Sequence, residues 1–485
     1  MSSLPLLSLL LALPALAGLA LPWLSGRWPR RLALAAALLA LALALWAVAR
    51  FDPLRPGFQL LEQRLWWPGI GVQYLVGVDG LSLLFLPATA LLFLVVIFAT
   101  PVARSGLYYS LLLWLEAATL GVFCALDGVL FFVCWELTVP PLYFLIALWG
   151  DGPSRRAVAA RYFSLMLAGG VPLLFALVAL ATQAGGGEGF NFALPYWLQH
   201  PPGYRWQIVI FLLLIVGFGV KVPFLPFHTW LPGVALQGPP AIAALLVGLK
   251  LGVFGLLRWT FPLLPEAAKL LHWLPAGLGT LAILYGAVAA VAQSNLRSML
   301  AYWSLSHVGL AVLALSSLNE QGVIGATWLL LNFVPTAAGL FLLLDALLLR
   351  SGSLDVSRLG GVTRTMPLLS ALFLLFGLAA MGMPGTTGFP GEFAALLGAI
   401  RIHAGAAMGA LFGAVVGAAA FLHPYRQAFF GPATRPAVLQ APDLNGAERL
   451  WALALALLVL GFGLFPTPLL RILQPAAAAW LRGLG

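Results

Sequence analysis

The sequence predicts an all-α integral membrane protein with about fourteen transmembrane helices. Two features of composition and one of pattern predict this class. Of the 485 residues, 62% are hydrophobic and only 8% are charged, and apolar stretches of about 20 residues recur along the whole chain. Because the loops between these stretches are short, we expect no separate soluble domain that could bind a nucleotide or a redox cofactor.

The fourteen predicted spans follow one another closely. The first has no basic region before its apolar run and is followed by further spans, so we interpret it as a retained helix rather than a signal peptide. The twelfth is broken by glycines and prolines. The spans are predicted at 4–24, 31–49, 80–99, 107–126, 128–148, 159–182, 206–227, 234–258, 273–292, 297–316, 322–349, 367–400, 404–423 and 449–468.

The basic residues predict the orientation of these spans. With the N-terminus outside, the inside loops hold fourteen of the 25 lysines and arginines and the outside loops hold nine. The positive-inside rule then places both termini on the outer side, which requires an even number of spans. This topology explains the net charge of +10 without nucleic-acid binding.

Five ionisable side chains fall inside predicted spans, where each costs about 2.5–3.5 kcal/mol at the bilayer centre. Two of the three lysines are among them, although the chain has 22 arginines. A buried lysine can release its proton near neutral pH, whereas arginine stays charged. The pattern therefore indicates proton exchange; structural lysines paired with carboxylates are the alternative. The five residues are Glu116, Glu136, Lys221, Lys250 and Glu392.

Predicted helix breaks coincide with three of these charges. "FGVKVPFLPFHTW", residues 218–230, places two prolines just after Lys221, Pro140 follows Glu136, and Pro384 and Pro390 precede Glu392. A helical proline leaves the carbonyl four residues earlier without its bond, so Pro223 is expected to free the carbonyl of Gly219. Broken helices that carry charges at mid-depth indicate an ion path; a passive kink is the alternative.

The two broken segments also indicate internal repetition. "FGVKVPFLPFHTWLP" and "LAAMGMPGTTGFPGEF" share a helix–Pro–break–Pro–helix pattern about five spans apart. They predict two inverted five-helix repeats, spans 4–8 and 9–13, with breaks in spans 7 and 12. The predicted units are N-terminal helices at 1–106, a first repeat at 107–260, a second repeat at 261–430, and a last helix with a tail at 431–485.

Histidines extend the predicted path. His307 lies inside a span and titrates near neutral pH, so it is a candidate relay group, with a hydrogen-bonded core histidine as the alternative. His228 lies at the inner mouth of the first broken helix and is a candidate proton-uptake group. His403 and His423 receive no role, and His200 and His272 are interpreted as loop residues.

The sequence offers no redox or metal centre. The histidines show no metal-ligand spacing, so no metal site is predicted. An iron–sulfur cluster needs about four thiolates, and the chain has only two cysteines. We interpret both, Cys124 and Cys134, as small buried apolar side chains.

Five motifs in order resemble the antiporter-like proton-translocating subunits of respiratory complex I. They are "FFVCWELTVPPLYFLIALWG", "KVPFLPFHTWLP", "ALLVGLKLGVFGLLRW", "LAYWSLSHVG" and "GMPGTTGFPGEF", and the resemblance covers roughly residues 70 to 430. Related L- and N-type subunits and Mrp-type sodium/proton antiporters share much of it. Glu392, where the L and N types typically carry lysine, and an end soon after the last span favour the M type (chain 13).

The resemblance implies roles for matching residues. Glu136 would pair with Lys221, the central proton carrier of the first half-channel. Lys250 and His307 would pass protons along a central polar axis, and Glu392 would be the exit-side residue. Glu116 matches a glutamate often found in its span.

The resemblance also implies the surroundings of the chain. Flavin mononucleotide, iron–sulfur clusters, NADH and quinone would belong to partner subunits, with none in this chain. Neighbouring L- and N-type subunits and the lipid bilayer would be its partners, in a bacterial cytoplasmic membrane with both termini periplasmic.

The sequence departs from the family pattern at several positions. Phe333 stands where the family often has a histidine in span eleven, so that relay group is missing or is replaced by water near Asn332 or Thr336. Ala235 and Gln237 stand where the family often has a charged lip, and Trp303 replaces a usual serine. Two other functions stay open: a subunit of an Mrp-type antiporter or of a membrane-bound hydrogenase, and a non-pumping structural subunit.

Overall fold

The computed structural model describes residues 5–100, 104–184, 189–432 and 435–484, most of which are helical. Within these ranges, twelve helices are long and apolar enough to cross a membrane. Two shorter apolar helices, Phe85–Ala99 and Pro367–Ala380, lie at two further predicted spans. The prediction of a mainly helical, multi-pass membrane protein is therefore confirmed.

The elements follow the chain in two groups. The first group contains α1 (Leu6–Ala20), α2 (Trp28–Arg50), β1 (Gln59–Trp67), β2 (Val72–Val78), α3 (Phe85–Ala99), α4 (Gly106–Cys124), α5 (Gly128–Leu137), α6 (Val139–Trp149), α7 (Arg155–Ala184), α8 (Leu194–Gln199), α9 (Tyr204–Lys221), α10 (Trp230–Gln237), α11 (Pro240–Gly248) and α12 (Leu251–Gly255). The second contains α13 (Pro265–Leu271), α14 (Trp273–Val291), α15 (Leu296–Leu315), α16 (Glu320–Ser351), α17 (Val362–Thr365), α18 (Pro367–Ala380), α19 (Gly388–Ile402), α20 (Ala404–Phe430), α21 (Pro436–Leu439), α22 (Gly446–Leu464) and α23 (Thr467–Arg482).

A β-hairpin lies between α2 and α3, so the all-α prediction is wrong for this segment. Strands β1 and β2 pair antiparallel from Gln59 opposite Val78 to Trp67 opposite Val72. Gly71 permits the connecting turn because its φ of 69° is one that residues with a Cβ rarely adopt. A search for apolar stretches of about 20 residues does not detect this hairpin, because each of its strands is much shorter than a membrane span.

The C-terminal tail is also structured. Helix α23 buries Leu473, Ala477 and Trp480, a spacing that puts the three side chains on one helix face. The Trp480 indole Nε1 donates to the carbonyl oxygen of Leu257 at 2.8 Å. The tail is thereby attached to the π-helical turn Leu256–Thr260 that follows α12.

The first broken helix differs in detail from its prediction. Helix α9 ends at Lys221 and the chain resumes as α10, so 234–237 complete the seventh predicted span instead of starting the eighth. The carbonyl of Gly219, expected to be free, accepts from the Phe224 amide at 2.7 Å. The chain turns immediately after Pro223, which brings that amide within reach.

The eighth span is broken as well, although a continuous helix is predicted over 234–258. Helix α11 ends at Gly248, Leu249 and Lys250 leave the helical conformation, and α12 begins at Leu251. The segment carries no proline after Pro240, so the break has no signal in proline content. Gly248 and Gly252, which weaken helices, flank it.

Buried ion pairs join the helix ends on both sides of the bundle. At one end, Arg258 binds Asp79 through two bonds of 2.7 and 2.5 Å. Burial alone would raise the pKa of Asp79, but the Arg258 charge and the hydrogen bonds outweigh it and lower that pKa. At the other end, Arg297 lies 3.2 Å from Asp151 and 3.9 Å from Asp345.

Candidate proton path

Lys221 is the last residue of α9, and the break between α5 and α6 binds its ammonium group. Nζ donates to the carbonyl oxygen of Trp135 at 2.8 Å and to the Thr138 hydroxyl at 2.9 Å. It also lies 3.9 Å from the centroid of the Trp135 ring, where the ring face attracts a cation. The sequence analysis did not predict that Trp135 and Thr138 bind the Lys221 ammonium. Their position on either side of Glu136, in "WELT", is the one feature of the sequence that could have indicated it.

Glu136 lies beside this ammonium but does not pair with it. No ion pair within 4.0 Å joins Glu136 to Lys221, and both buried carboxylate oxygens lack a hydrogen-bond partner among the described residues. Gly170 of α7 leaves room for this carboxylate, since a Cβ there would lie 2.5 Å from Oε1. An uncompensated charge in this position is costly, so the carboxylate requires a proton, a cation or water. The structure thus has the predicted Glu–Lys pair in a separated arrangement.

A small cavity adjoins Lys221. It has a volume of about 40 Å³, and its lining includes Lys221, Thr138, Thr119, Tyr162 and Trp230. That volume is enough for at least one water, and the lining supplies several polar partners. A water here can exchange a proton with the ammonium.

Glu116 of α4 is fully buried, and neither carboxylate oxygen has a partner in the described part of the chain. Its neighbours Leu115 and Thr119 line the Lys221 cavity, but Glu116 itself does not. The structure therefore places Glu116 near the first group of ionisable residues without bringing it into contact.

Lys250 lies in the break between α11 and α12. It is 7% exposed, and its Nζ lies 5.1 Å from the centroid of the Phe333 ring of α16. The break at Lys250 packs directly on the break at Lys221, because a Cβ at Gly252 would lie 2.5 Å from the Val222 amide nitrogen. The two lysines therefore belong to one packed unit of irregular backbone.

His307 and Glu392 form a second group. Nδ1 of His307 is 2.9 Å from the Trp303 carbonyl, which can only accept, so Nδ1 carries a hydrogen. Nε2 is 3.7 Å from Oε1 of Glu392. A cavity of about 30 Å³, lined in part by Ser306, His307 and Glu392, has room for a water between them.

Phe333 stands between the two groups. Its ring contacts Lys250 on one side and lies edge-on to His307 at 6.5 Å between centroids on the other. Thr336, one of the two residues near which the sequence predicts a substitute water, lines a cavity of about 20 Å³ with His307 and Phe333. Asn332, the other such residue, instead accepts from the Thr387 hydroxyl at 3.0 Å and so connects α16 to the break between α18 and α19.

Glu392 is positioned by the second broken helix. Helix α18 ends at Ala380, a turn follows, and α19 begins at Gly388 with Glu392 in its second turn. Gly382 has φ +66° and packs against the carboxylate, so that a Cβ there would collide with it. The breaks after α9 and after α18 thus each place an ionisable side chain, Lys221 and Glu392, next to irregular backbone.

His228 lies in the turn Phe227–Thr229 before α10. Its Nε2 is 3.2 Å from the Tyr285 hydroxyl of α14, and its buried Nδ1 has no partner in the described ranges. The structure places it at a contact between the two predicted repeats, away from the Lys221 ammonium's partners.

The described residues contain no group of three or more His, Cys, Asp or Glu side chains placed to hold a metal ion. Cys124 is buried and Cys134 is partly buried, and both are free thiols. The chemistry that the arrangement offers is proton transfer between lysine, histidine, carboxylate and water.

Comparison with known proteins identifies the class. Residues 125–417 match the family described as NADH:quinone oxidoreductase/Mrp antiporter, transmembrane, and the chain belongs to that family. It is 33% identical to NADH-quinone oxidoreductase subunit M of Rhodobacter capsulatus, over 92% of this chain and 89% of that protein.

Solved structures agree with this assignment. A chain of respiratory complex I from Thermus thermophilus with bound NADH superposes with a TM-score of 0.91 at 33% identity, covering 99% of this chain and all of that one. A chain of the Mrp complex from Dietzia sp. DQ12-45-1b superposes with a TM-score of 0.87 at 22% identity, covering all of both chains. The second likeness shows the shared fold.

Proposed function

We propose that this chain is a proton-translocating membrane subunit of an NADH–quinone oxidoreductase in a bacterial cytoplasmic membrane. The observation that carries the proposal is the row of ionisable side chains at packed helix breaks, from Glu136 and Lys221 through Lys250 to His307 and Glu392. NADH, flavin, iron–sulfur clusters and quinone belong to partner subunits. The membrane neighbours of this chain would be the L- and N-type subunits expected from the sequence. The names of the relatives support this assembly.

The geometry suggests how such a path is switched. Lys221 has two alternative partners: the Trp135 carbonyl with the Thr138 hydroxyl, and the Glu136 carboxylate one residue away. Pairing with Glu136 would hold the proton on lysine, and separation would let the lysine pass it to water near Lys250. A change driven by quinone reduction in partner subunits would shift Lys221 between these partners.

The topology is part of the proposal. We assign fourteen spans by adding α3 and the α18–α19 pair to the twelve long spans, with inverted repeats at 107–260 and 261–430. The corresponding breaks after α9 and α18 support the repeats. The bias of basic residues supports periplasmic termini, with His228 on the uptake side and Glu392 on the release side of the path.

The test is the variant Lys221→Ala. The matched control is Lys269→Ala, which removes the remaining lysine of the chain, in α13. We expect Lys221→Ala to lower NADH-driven proton uptake into inverted membrane vesicles by about tenfold or more, because it removes a positioned proton carrier. Quinone reductase rate and assembly of the complex are measured on the same membranes. Unchanged pumping in an assembled complex would overturn the proposal and favour a structural subunit.

A second candidate is a subunit of an Mrp-type antiporter, favoured by the shared fold. Glu392 argues against it, since a lysine is typical of that position in the related subunits. Sodium-driven proton exchange in vesicles without NADH distinguishes the two: exchange that disappears in Lys221→Ala would support the antiporter.

A further inference from the structure

Two histidines outside the path described above form a hydrogen-bonded pair. His272 lies between α13 and α14, and His403 lies between α19 and α20. Their rings approach with Nδ1 of His272 3.1 Å from Nε2 of His403. Residues more than 130 apart in sequence thus meet where the ends of four helices come together, and one of these helices, α19, carries Glu392.

A third atom sets the direction of the hydrogen bond. Nε2 of His403 is also 3.3 Å from the carbonyl oxygen of Ser316. A carbonyl oxygen only accepts, so Nε2 of His403 carries a hydrogen and Nδ1 of His272 accepts it. His272 then carries its own hydrogen on Nε2, and each ring has one donor and one acceptor nitrogen.

The seam between α14 and α20 connects this pair to Glu392. The cavity beside Glu392 is lined by Ile283 of α14 and by Ala410 and Gly413 of α20. Ile283 is eleven residues after His272 and Ala410 is seven after His403, or about 16 and 10 Å along the helices. Both helices therefore lead from the cavity to the histidines.

The seam is narrow and has one polar side chain at mid-distance. A Cβ at Gly409 of α20 would lie 3.3 Å from the Thr280 side chain of α14. The Thr280 hydroxyl donates to the Ala276 carbonyl at 2.8 Å, which leaves its oxygen able to accept from a water. Gly409 and Gly413 let the two helices approach closely, with the side chains of Thr280 and Ile283 packed against them.

We propose that His272 and His403 are the proton-release pair through which a proton from Glu392 leaves the chain. A proton binds Nδ1 of His403, the hydrogen on Nε2 of His403 passes to Nδ1 of His272, and the hydrogen on Nε2 of His272 leaves to water. One proton enters and one leaves, and both rings then exchange tautomers to return to the starting state. The proposal rests on the proposed function, because it takes Glu392 as the end of the path.

The electrostatics of the pair fit release. Burial, and then the neighbouring His403, lower the pKa of His272 below its ordinary value. A ring that disfavours the charged form gives up an added proton readily, as a terminal donor must.

The test compares His272→Ala and His403→Ala with His200→Ala, a histidine that bonds the Tyr196 carbonyl of its own helix and stacks on that ring. In the purified whole complex, we expect each pair variant to lower the NADH–quinone reductase rate by about tenfold or more. Imidazole added to the buffer should restore a large part of that rate, because it supplies the missing proton acceptor. His200→Ala should keep the full rate.

Each other outcome decides between explanations. Unchanged rates in both pair variants would overturn the release pair. A loss that imidazole does not restore, with a lower melting temperature, would show a structural contact between helix ends and would also overturn it. If Lys221→Ala abolishes pumping in inverted membrane vesicles, either result leaves the proposed function intact. If Lys221→Ala pumps normally in those vesicles, the proposed function itself fails.

Discussion

At the scale of single residues, the ammonium of Lys221 is bound by a backbone carbonyl and a hydroxyl instead of a carboxylate. Helix α5 ends two residues after Trp135, at Leu137, and the Trp135 carbonyl accepts from both the Lys221 ammonium and, at 2.7 Å, the Thr138 hydroxyl. Thr138 occupies the single residue between α5 and α6 and presents its hydroxyl to the same ammonium. The break therefore creates a neutral site for Lys221 one residue from the charged alternative, Glu136.

Thr138→Val tests this neutral site. The variant keeps the shape of the side chain but removes a hydrogen bond to a charged group, worth about 1.5–3 kcal/mol. Lys221 should then spend more time with Glu136, and NADH-driven pumping should fall by about tenfold. Pumping into vesicles is the measurement, and Thr327→Val, which removes a hydroxyl bonded only to the Val323 carbonyl of its own helix, is the control. Equal pumping by both variants would refute a role for the Thr138 hydroxyl.

The sequence singled out the charged members of the proposed path but not the neutral groups that bind Lys221. A charge within an apolar span is costly, and such a charge can be recognised from the sequence alone. This applies to Glu136, Lys221, Lys250 and Glu392. The Trp135 carbonyl has no such signal, since every residue has one and its availability depends on where a helix ends. His272 and His403 also gave no signal, because their pairing depends on tertiary contact between helix ends.

At the scale of elements, irregular backbone meets irregular backbone. The chain after α9 packs on the start of α12, where a Cβ at Gly252 would lie 2.5 Å from the Val222 amide nitrogen and 2.9 Å from the Lys221 carbonyl carbon. The neighbouring atoms belong to the backbone and cannot rotate away. Close contact between the two breaks couples the positions of Lys221 and Lys250.

Gly252→Ala should therefore be costly. Overpacking of this kind costs about 1–3 kcal/mol, and it would displace both lysine-bearing breaks. We expect a lower melting temperature of the complex and reduced pumping. Gly461→Ala in α22 is the matched control, because a Cβ there meets no atom within 4 Å and alanine favours the helix. A variant at Gly252 that behaves like this control would contradict the coupling of the breaks.

Whether a helix break or a short element could be predicted from the sequence depended on its proline content and on its length. The breaks after α9 and α18 were predicted from prolines, whereas the break at Lys250 contains none and was missed. The hairpin β1–β2 and helix α23 were missed because a search for spans of about 20 residues passes over shorter elements. Helix α23 has an apolar face formed by Leu473, Ala477 and Trp480, and that spacing was its available signal.

At the scale of the whole molecule, the two predicted repeats are joined at both their centre and their rim. Arg297 of α15 reaches Asp151, which follows α6, so an ion pair connects the second repeat to the first. Near the centre, Phe333 of α16 lies between Lys250 and His307. In the proposed function, the ionisable groups of the two repeats therefore act as one sequence of steps.

Steps in series predict the behaviour of a double variant. If a proton must pass Lys221 before it reaches Glu392, blocking either step blocks the same flow. The double variant Lys221→Ala with Glu392→Gln should therefore pump no less than the single variant that pumps less. Separate parallel paths would instead give losses of proton flow that add, because each path carries its own share of the protons and the double variant loses both shares. The measurement is NADH-driven proton uptake by vesicles containing equal amounts of assembled complex, for both single variants and the double. A double variant whose loss of proton flow equals the sum of the two single losses would show that the two groups serve separate paths. Phe333 would then be a barrier between the paths instead of a point on a common route.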